Sequence, residues 1–229
     1  MRATTLMFLS SVFCVLSANA GSVRGVVRAE GPAAESDSSG GKYDSRKFKF
    51  AEKINYSELR DFVVYIDGPV SGKPAGSNQV VRVETRRISQ RGAAFTPHVL
   101  PVVAGTTVEW PNNDDIFHNV FSMSDAKPFD LGLYKSPEVK RVTFDQAGRV
   151  DVFCSIHANM SCIVLVLENP CYSLTDENGR YRITDIPAGK YKFKAWHERM
   201  PAQTQEITVP ETGEVEANFT LRIANLPKY

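Results

Sequence analysis

The sequence predicts an all-β protein, built as a β-sandwich followed by a second, smaller sheet set. Three observations lead there. Helical periodicity is almost absent, so no stretch offers the 3.6-residue apolar stripe that a surface helix buries. Apolar runs have strand length and are separated at short spacing by Gly, Pro, Asn and Asp. Thirteen Phe and eight Tyr stand beside 15 Gly and 13 Pro, a mixture of strand fillers and turn formers. A chain of 229 residues that is 42% hydrophobic can fill a real core, as one large domain or two small ones. Charge is balanced at 27 Lys+Arg against 26 Asp+Glu, and no basic run dominates. That argues against a nucleic-acid binder held by phosphate contacts.

Residues 1–20 read as a targeting signal, with Arg2 at the start, an apolar stretch over 6–16 and Ala18-Asn19-Ala20 as the small-residue cleavage site. Cleavage after Ala20 removes one charge and leaves 26 basic against 26 acidic residues. No other run approaches the ~18 apolar residues of a membrane span, so a periplasmic or secreted location without a membrane span is expected. Residues 22–28 read as a first strand, 31–53 as a polar Ser/Gly-rich loop, 61–66 as an apolar strand and 68–78 as a flexible connection. Extended structure resumes at 80–87. From Phe95 the pattern tightens into short strands over 99–103, 106–110, 117–122, 139–144 and 150–154, closed by 163–167. That last run is continuously apolar, as a strand buried on both faces is.

A different rhythm starts at Leu174. Thr175-Asp-Glu-Asn-Gly179 is a turn with Gly where positive φ is cheap. Residues 181–183 form a strand, 186–189 a turn, and 191–196 alternate at period two; 207–209 and 215–223 complete the set.

The chemistry lies in Cys154-Ser-Ile-His157-Ala-Asn-Met160, which puts a thiolate, an imidazole and a thioether on one loop leaving a strand. His118 stands 36 residues upstream at another strand junction. One Cys, two His and a weak axial Met form the ligand set of a blue-copper electron-transfer site, because sulfur favours Cu(I) while imidazole accepts both oxidation states. Met suits zinc poorly, and the chain has no C-x-x-C-H haem motif. Taken singly, each of these residues reads as ordinary packing: a buried thiol, a core filler, a loop histidine.

Residues of about 80–168 resemble a cupredoxin domain. The likeness is carried by Phe95-Thr-Pro97, Gly105-Thr-Thr-Val108, Asn113-Asp114, His118-Asn119-Val120-Phe121-Ser122, Cys154, His157 and Met160. The ligand loop is amicyanin-like in spacing, although Ile156 and Ala158 stand where such loops carry proline. Residues 175–191 resemble a carboxypeptidase regulatory-like domain, and the combination is similar to exported methylamine-utilisation-type proteins. The resemblance implies a Greek-key cupredoxin sandwich over 80–167 plus a smaller regulatory-like sandwich over 168–229, with 21–79 contributing N-terminal strands and linker. It implies one mononuclear type 1 copper held by His118, Cys154, His157 and Met160. Asn119 would steady the ligand loop, and His157 would serve as electron port within an apolar patch drawn from Ile156, Ala158 and Met123.

The function this points to is a periplasmic carrier of single electrons between redox partner proteins, with no substrate of its own. The alternative is a cupredoxin-fold binding or copper-carrier module. No Ser/His/Asp arrangement, paired carboxylates or phosphate-binding Gly loop argues for an enzyme, and His98 and His197 read as structural or surface residues.

Two further expectations concern connectivity. The regulatory-like segment lacks its opening strands, so residues 21–70 and 168–229 are expected to build one sandwich with the copper domain inserted, because a lone two-stranded unit would be marginal. Export argues for a Cys162–Cys171 disulfide. A continuous strand across that span would instead hold the two Cα atoms roughly 25–30 Å apart, far beyond bridging distance, unless the chain reverses near Asn169-Pro170.

Overall fold

The computed structural model describes residues 20–31, 54–70 and 86–223. Residues 1–19 of the targeting signal, 32–53 of the Ser/Gly-rich loop, and 71–85, which hold most of the flexible connection and the start of the extended segment, lie outside them. The described residues are strands and turns, with one short 3-10 turn at Tyr56–Glu58. No helix among them is long and apolar enough to cross a membrane.

Before the copper-motif region come β1 (Ala20–Glu30) and β2 (Val63–Ile66). Ten short strands follow: β3 (Arg86–Arg87), β4 (Ser89–Arg91), β5 (Ala94–Thr96), β6 (Val99–Val103), β7 (Thr106–Pro111), β8 (His118–Ser122), β9 (Phe129–Tyr134), β10 (Val139–Phe144), β11 (Gly148–Phe153) and β12 (Ser161–Leu167). After them run β13 (Tyr172–Leu174), β14 (Arg180–Pro187), β15 (Gly189–His197), β16 (Met200–Val209), β17 (Glu214–Glu216) and β18 (Phe219–Arg222).

In the middle segment a five-stranded sheet of order β6-β12-β11-β8-β9 faces a three-stranded sheet of order β10-β7-β3, and β4-β5 form a hairpin. The two inner faces share a core of Trp110, Phe144, Tyr134, Val120, Val152 and Val164. Across the smaller sheet Glu109 on β7 lies directly opposite Arg87 on β3 and Arg141 on β10. Its Oε2 accepts from Arg87 Nη2 at 2.9 Å and its Oε1 from Arg141 Nη2 at 2.6 Å. Opposite charges facing one another across strands support the register.

The hydrogen bonds from Arg87 and Arg141 hold the Glu109 carboxyl below the usual carboxylate range. A depressed folded-state pKa contributes stability that is present above the unfolded value, near 4, and lost as pH falls through the folded value. Acidification from pH 5 to 3 is therefore expected to lower the Tm, and Glu109→Gln to make that slope shallower. The effect is modest because both arginine side chains are more than half exposed. Identical slopes in thermal melts of the two proteins would refute it.

The N-terminal strands pair with the C-terminal ones. β1 runs antiparallel to β14 and parallel to β17 and then β18; β2 lies between β13 and β15 in a sheet completed by β16. Val26 stands opposite Arg180, and Val64 opposite Ser173 and Ala195. One core unites Val23, Val27, Phe62, Val64, Phe193 and Phe219. Gly25 sits where β1 changes partner from β17 to β18, and a Cβ there would overlap the Ala217 carbonyl. A glycine is what allows the two backbones to approach.

β12 is buried on both faces for a tertiary reason. Cys162, Val164 and Val166 enter the middle-segment core. Leu165 and Leu167 point the other way, into a cluster with Val63 and Val99 flanked by Tyr65, Tyr172 and Trp196.

Cys162 and Cys171 are not bridged. Both thiols are free and buried, in different cores. Unbroken strand β12 carries the chain away from Cys162, and Asn169 then fixes the connection by donating to the carbonyls of Ile66 and Gly68. Burial pushes the Cys171 thiol up to about 11 and that of Cys162 well above its ordinary value, so neither is a ready nucleophile.

Several elements escape the sequence pattern: β13 has no counterpart in it, and β16 begins at Met200 rather than at 207. β9 has only Tyr134 fully buried and bends through Gly132 at φ 67°, so it shows no clean alternation. The β4-β5 hairpin turns through Gly92 and Ala93, both at positive φ.

Candidate metal centre

Three strands of the larger sheet end at the same place. His118 opens β8, Cys154 follows β11, and Met160 immediately precedes β12. The loop from Cys154 to Met160 closes on itself: Cys154 N donates to Met160 O at 3.1 Å and Met160 N to His157 O at 3.0 Å. The ligand-type atoms of His118, Cys154 and His157 all lie within 4.8 Å of one another. His118 Nδ1 is 3.1 Å from His157 Nδ1, and Cys154 Sγ is 3.6 Å from the same nitrogen. Three of the four residues singled out from sequence thus converge through their side-chain donors. The fourth, Met160, is buried in the same core as Cys154.

The donor chemistry fits a copper ion. His118 is completely buried, and its Nε2 donates to Asp114 Oδ2 at 2.8 Å. That bond fixes the tautomer and leaves Nδ1 as a free lone pair facing Cys154 and His157. The Asn119 amide donates to Cys154 Sγ at 3.5 Å, within range for a sulfur acceptor, while its side chain donates to Asp130 Oδ1 at 2.6 Å. Asn119 therefore steadies both the Cys154 sulfur and the strand beside it.

Asp114 is the functional residue that sequence reasoning missed. It appeared only as part of the Asn113-Asp114 likeness, with no role attached. Its carboxylate also accepts from the Gly92 and Ala93 amides at 2.8 and 3.0 Å. Burial works against its charge, but the bonds from Ala93, His118 and Gly92 outweigh it and hold the carboxyl at about 2. Its spacing of four residues from His118 was the available signal. The other half of the arrangement, the hairpin turn 22 residues upstream, is visible only in the fold.

Around the site, Ile156 and Ala158 flank His157 and are exposed, and His157 itself is half-buried. Met123 is 83% exposed but follows the far end of β8, a strand length away from His118. Ile116 and Phe117, both about half exposed, take its place beside the site. His98 bonds to Ser161 and Glu198, whereas His197 is buried against the Phe62 ring at 4.9 Å. Burial shifts the His197 pKa below its ordinary value.

Residues 81–167 match the family model for copper binding proteins of the plastocyanin/azurin family, and residues 169–222 that of the carboxypeptidase regulatory-like domain. No curated protein sequence matches the chain. Among solved structures, a Cu-containing nitrite reductase from Thermus scotoductus SA-01 is similar at 30% identity and TM-score 0.36, over 37% of this chain and 23% of that one. The chain thus spans under a quarter of that enzyme. A purple cupredoxin from Nitrosopumilus maritimus is similar at 26% identity and TM-score 0.33, over 36% of this chain and 99% of that one. A methionine-to-alanine mutant of amicyanin in its Cu(I) form is similar at 21% identity and TM-score 0.35, covering 45% and 98%.

Proposed function

We propose that this chain, a copper protein by the family of its residues 81–167, is an exported carrier of single electrons with one mononuclear type 1 site. The observation that carries the reading is the convergence of His118, Cys154 and His157 within 4.8 Å. Beside them Met160 is buried at the end of the same loop. Bound copper supplies the one-electron couple between Cu(I) and Cu(II). Everything else is the work of the chain. Asp114 orients His118, the Asn119 amide offsets charge on the Cys154 sulfur, and three sheet strands hold the donors at fixed positions. A rigid donor set changes little between oxidation states, so little rearrangement accompanies electron transfer.

His157 is the proposed port. Its ring is half-buried, and Ile156 and Ala158 beside it are exposed. A mature net charge near zero favours brief, weakly steered encounters with redox partner proteins over tight complexes. The reading assigns the chain no substrate to transform. A periplasmic or secreted location rests on the targeting signal over residues 1–20.

The test is to add Cu(II) to the purified chain and record the visible spectrum, then cyclic voltammetry. An intense thiolate-to-copper band with a reversible one-electron wave is expected. Copper that binds without cycling would turn the reading to copper carriage, and failure to bind copper would end it.

A further inference from the structure

The two sandwiches meet along the outer face of the five-stranded sheet, and one polar contact in that seam leads to the copper loop. Glu198, in the turn between β15 and β16, reaches across to His98, which directly precedes β6. Its Oε2 lies 3.0 Å from His98 Nε2. The other ring nitrogen, Nδ1, lies 3.2 Å from the Ser161 carbonyl oxygen. Carboxylate and carbonyl are both acceptors, so each can take a hydrogen bond from the ring. The turn is held from a second side as well. Arg149 Nη1 donates to the Glu198 carbonyl at 3.5 Å, and its guanidinium lies over the Trp196 ring, 5.7 Å from the centroid.

Ser161 is not an arbitrary anchor. It is the first residue of β12 and stands opposite Phe153, the last residue of β11. Cys154 follows the one and Met160 precedes the other. The pair Ser161 and Phe153 is thus the base on which the Cys154–Met160 loop stands, and His98 grips that base from outside. The backbone of His98 adds a bond, its carbonyl accepting from Ile163 N at 2.8 Å.

We infer that Glu198 of the regulatory-like sandwich, acting through His98, is a positioning residue for the Met160 end of the copper loop. This rests on the copper reading above. The accessory sandwich then tunes the site it adjoins: its carboxylate restrains His98, His98 restrains the Ser161 peptide, and that peptide sets where Met160 sits relative to Cys154.

The test uses the full chain with and without copper. Glu198→Ala is expected to keep the intense visible band yet change the ratio of Cu(I) to Cu(II) affinity, read by voltammetry, by up to about tenfold, the low end for groups bonded directly to ligands, because Glu198 acts through His98 and Ser161. Glu198→Gln keeps an acceptor oxygen for Nε2 and should stay near the parent value. His98→Ala should repeat the Glu198→Ala shift, and the double variant should add little to either, as members of one network do. Unchanged potentials in both single alanine variants would overturn the inference. In the metal-free chain Glu198→Ala should speed hydrogen exchange at the Cys154 and Met160 amides, and unchanged protection there would overturn it whether or not copper binds. A parent chain that takes up no copper refutes the copper reading alone, and the exchange measurement then decides this one.

Discussion

Cys154→Ser is expected to abolish the intense thiolate-to-copper absorption while leaving the β-sheet circular dichroism intact. The serine hydroxyl occupies nearly the same space but is not ionised near neutral pH, and it lacks the soft sulfur that stabilises Cu(I). Cys154 is 6% exposed and packs with Met160 and Val120, so the exchange alters the donor far more than the packing. Copper affinity should fall with the band, and any residual copper held by His118 and His157 should be pale. A variant that retained the absorption would remove Cys154 from the site and with it the proposed electron-carrier function.

Phe219→Ala should cost about 3–5 kcal/mol of stability, the usual loss for emptying a buried Phe position. Phe219 is 1% exposed on β18 and packs beside the Tyr181 ring at 6.2 Å. Its strand pairs with the last residues of β1, so the cavity opens at the join between the N-terminal and C-terminal strands. Denaturant unfolding should show the accessory sandwich melting earlier, while the copper band under native conditions persists because Phe219 lies outside the core around Trp110 and Cys154. A loss below ~1 kcal/mol would mean that β1 and β18 do not share this core in solution.

The all-β class and most middle-segment strands were readable because each strand carries its own apolar residues and its own turn. The copper loop was readable for the same reason: Cys154, His157 and Met160 are spaced to close one short loop, and its backbone does so through the bonds between Cys154, Met160 and His157. β9 was not readable, since its outward face is open and its one buried residue, Tyr134, is held by Gln90 and the Trp110 carbonyl from elsewhere in the chain. The Cys162–Cys171 bridge failed because the compartment argument ignores direction. Strand β12 points Cys162 into the middle-segment core, and the connection beyond its end, held by Asn169, places Cys171 in the core shared by the N-terminal and C-terminal strands.

Local order in the chain was thus sufficient for most strands, the turns and the choice of Cys154, His157 and Met160 as the loop's candidate donors, since those depend on neighbours a few residues apart. Asp114's grip on His118 depends on amides 22 and 21 residues upstream, and the contact between Glu198 and His98 spans 100 residues. That the N-terminal and C-terminal segments share a sandwich was expected from the missing opening strands, but not which strands meet, and the pairing of β1 with β18 joins residues 192 apart. Composition and spacing carry no record of such partners. They are selected when two apolar faces find each other, because burying that shared surface is what offsets the entropy of bringing distant segments together.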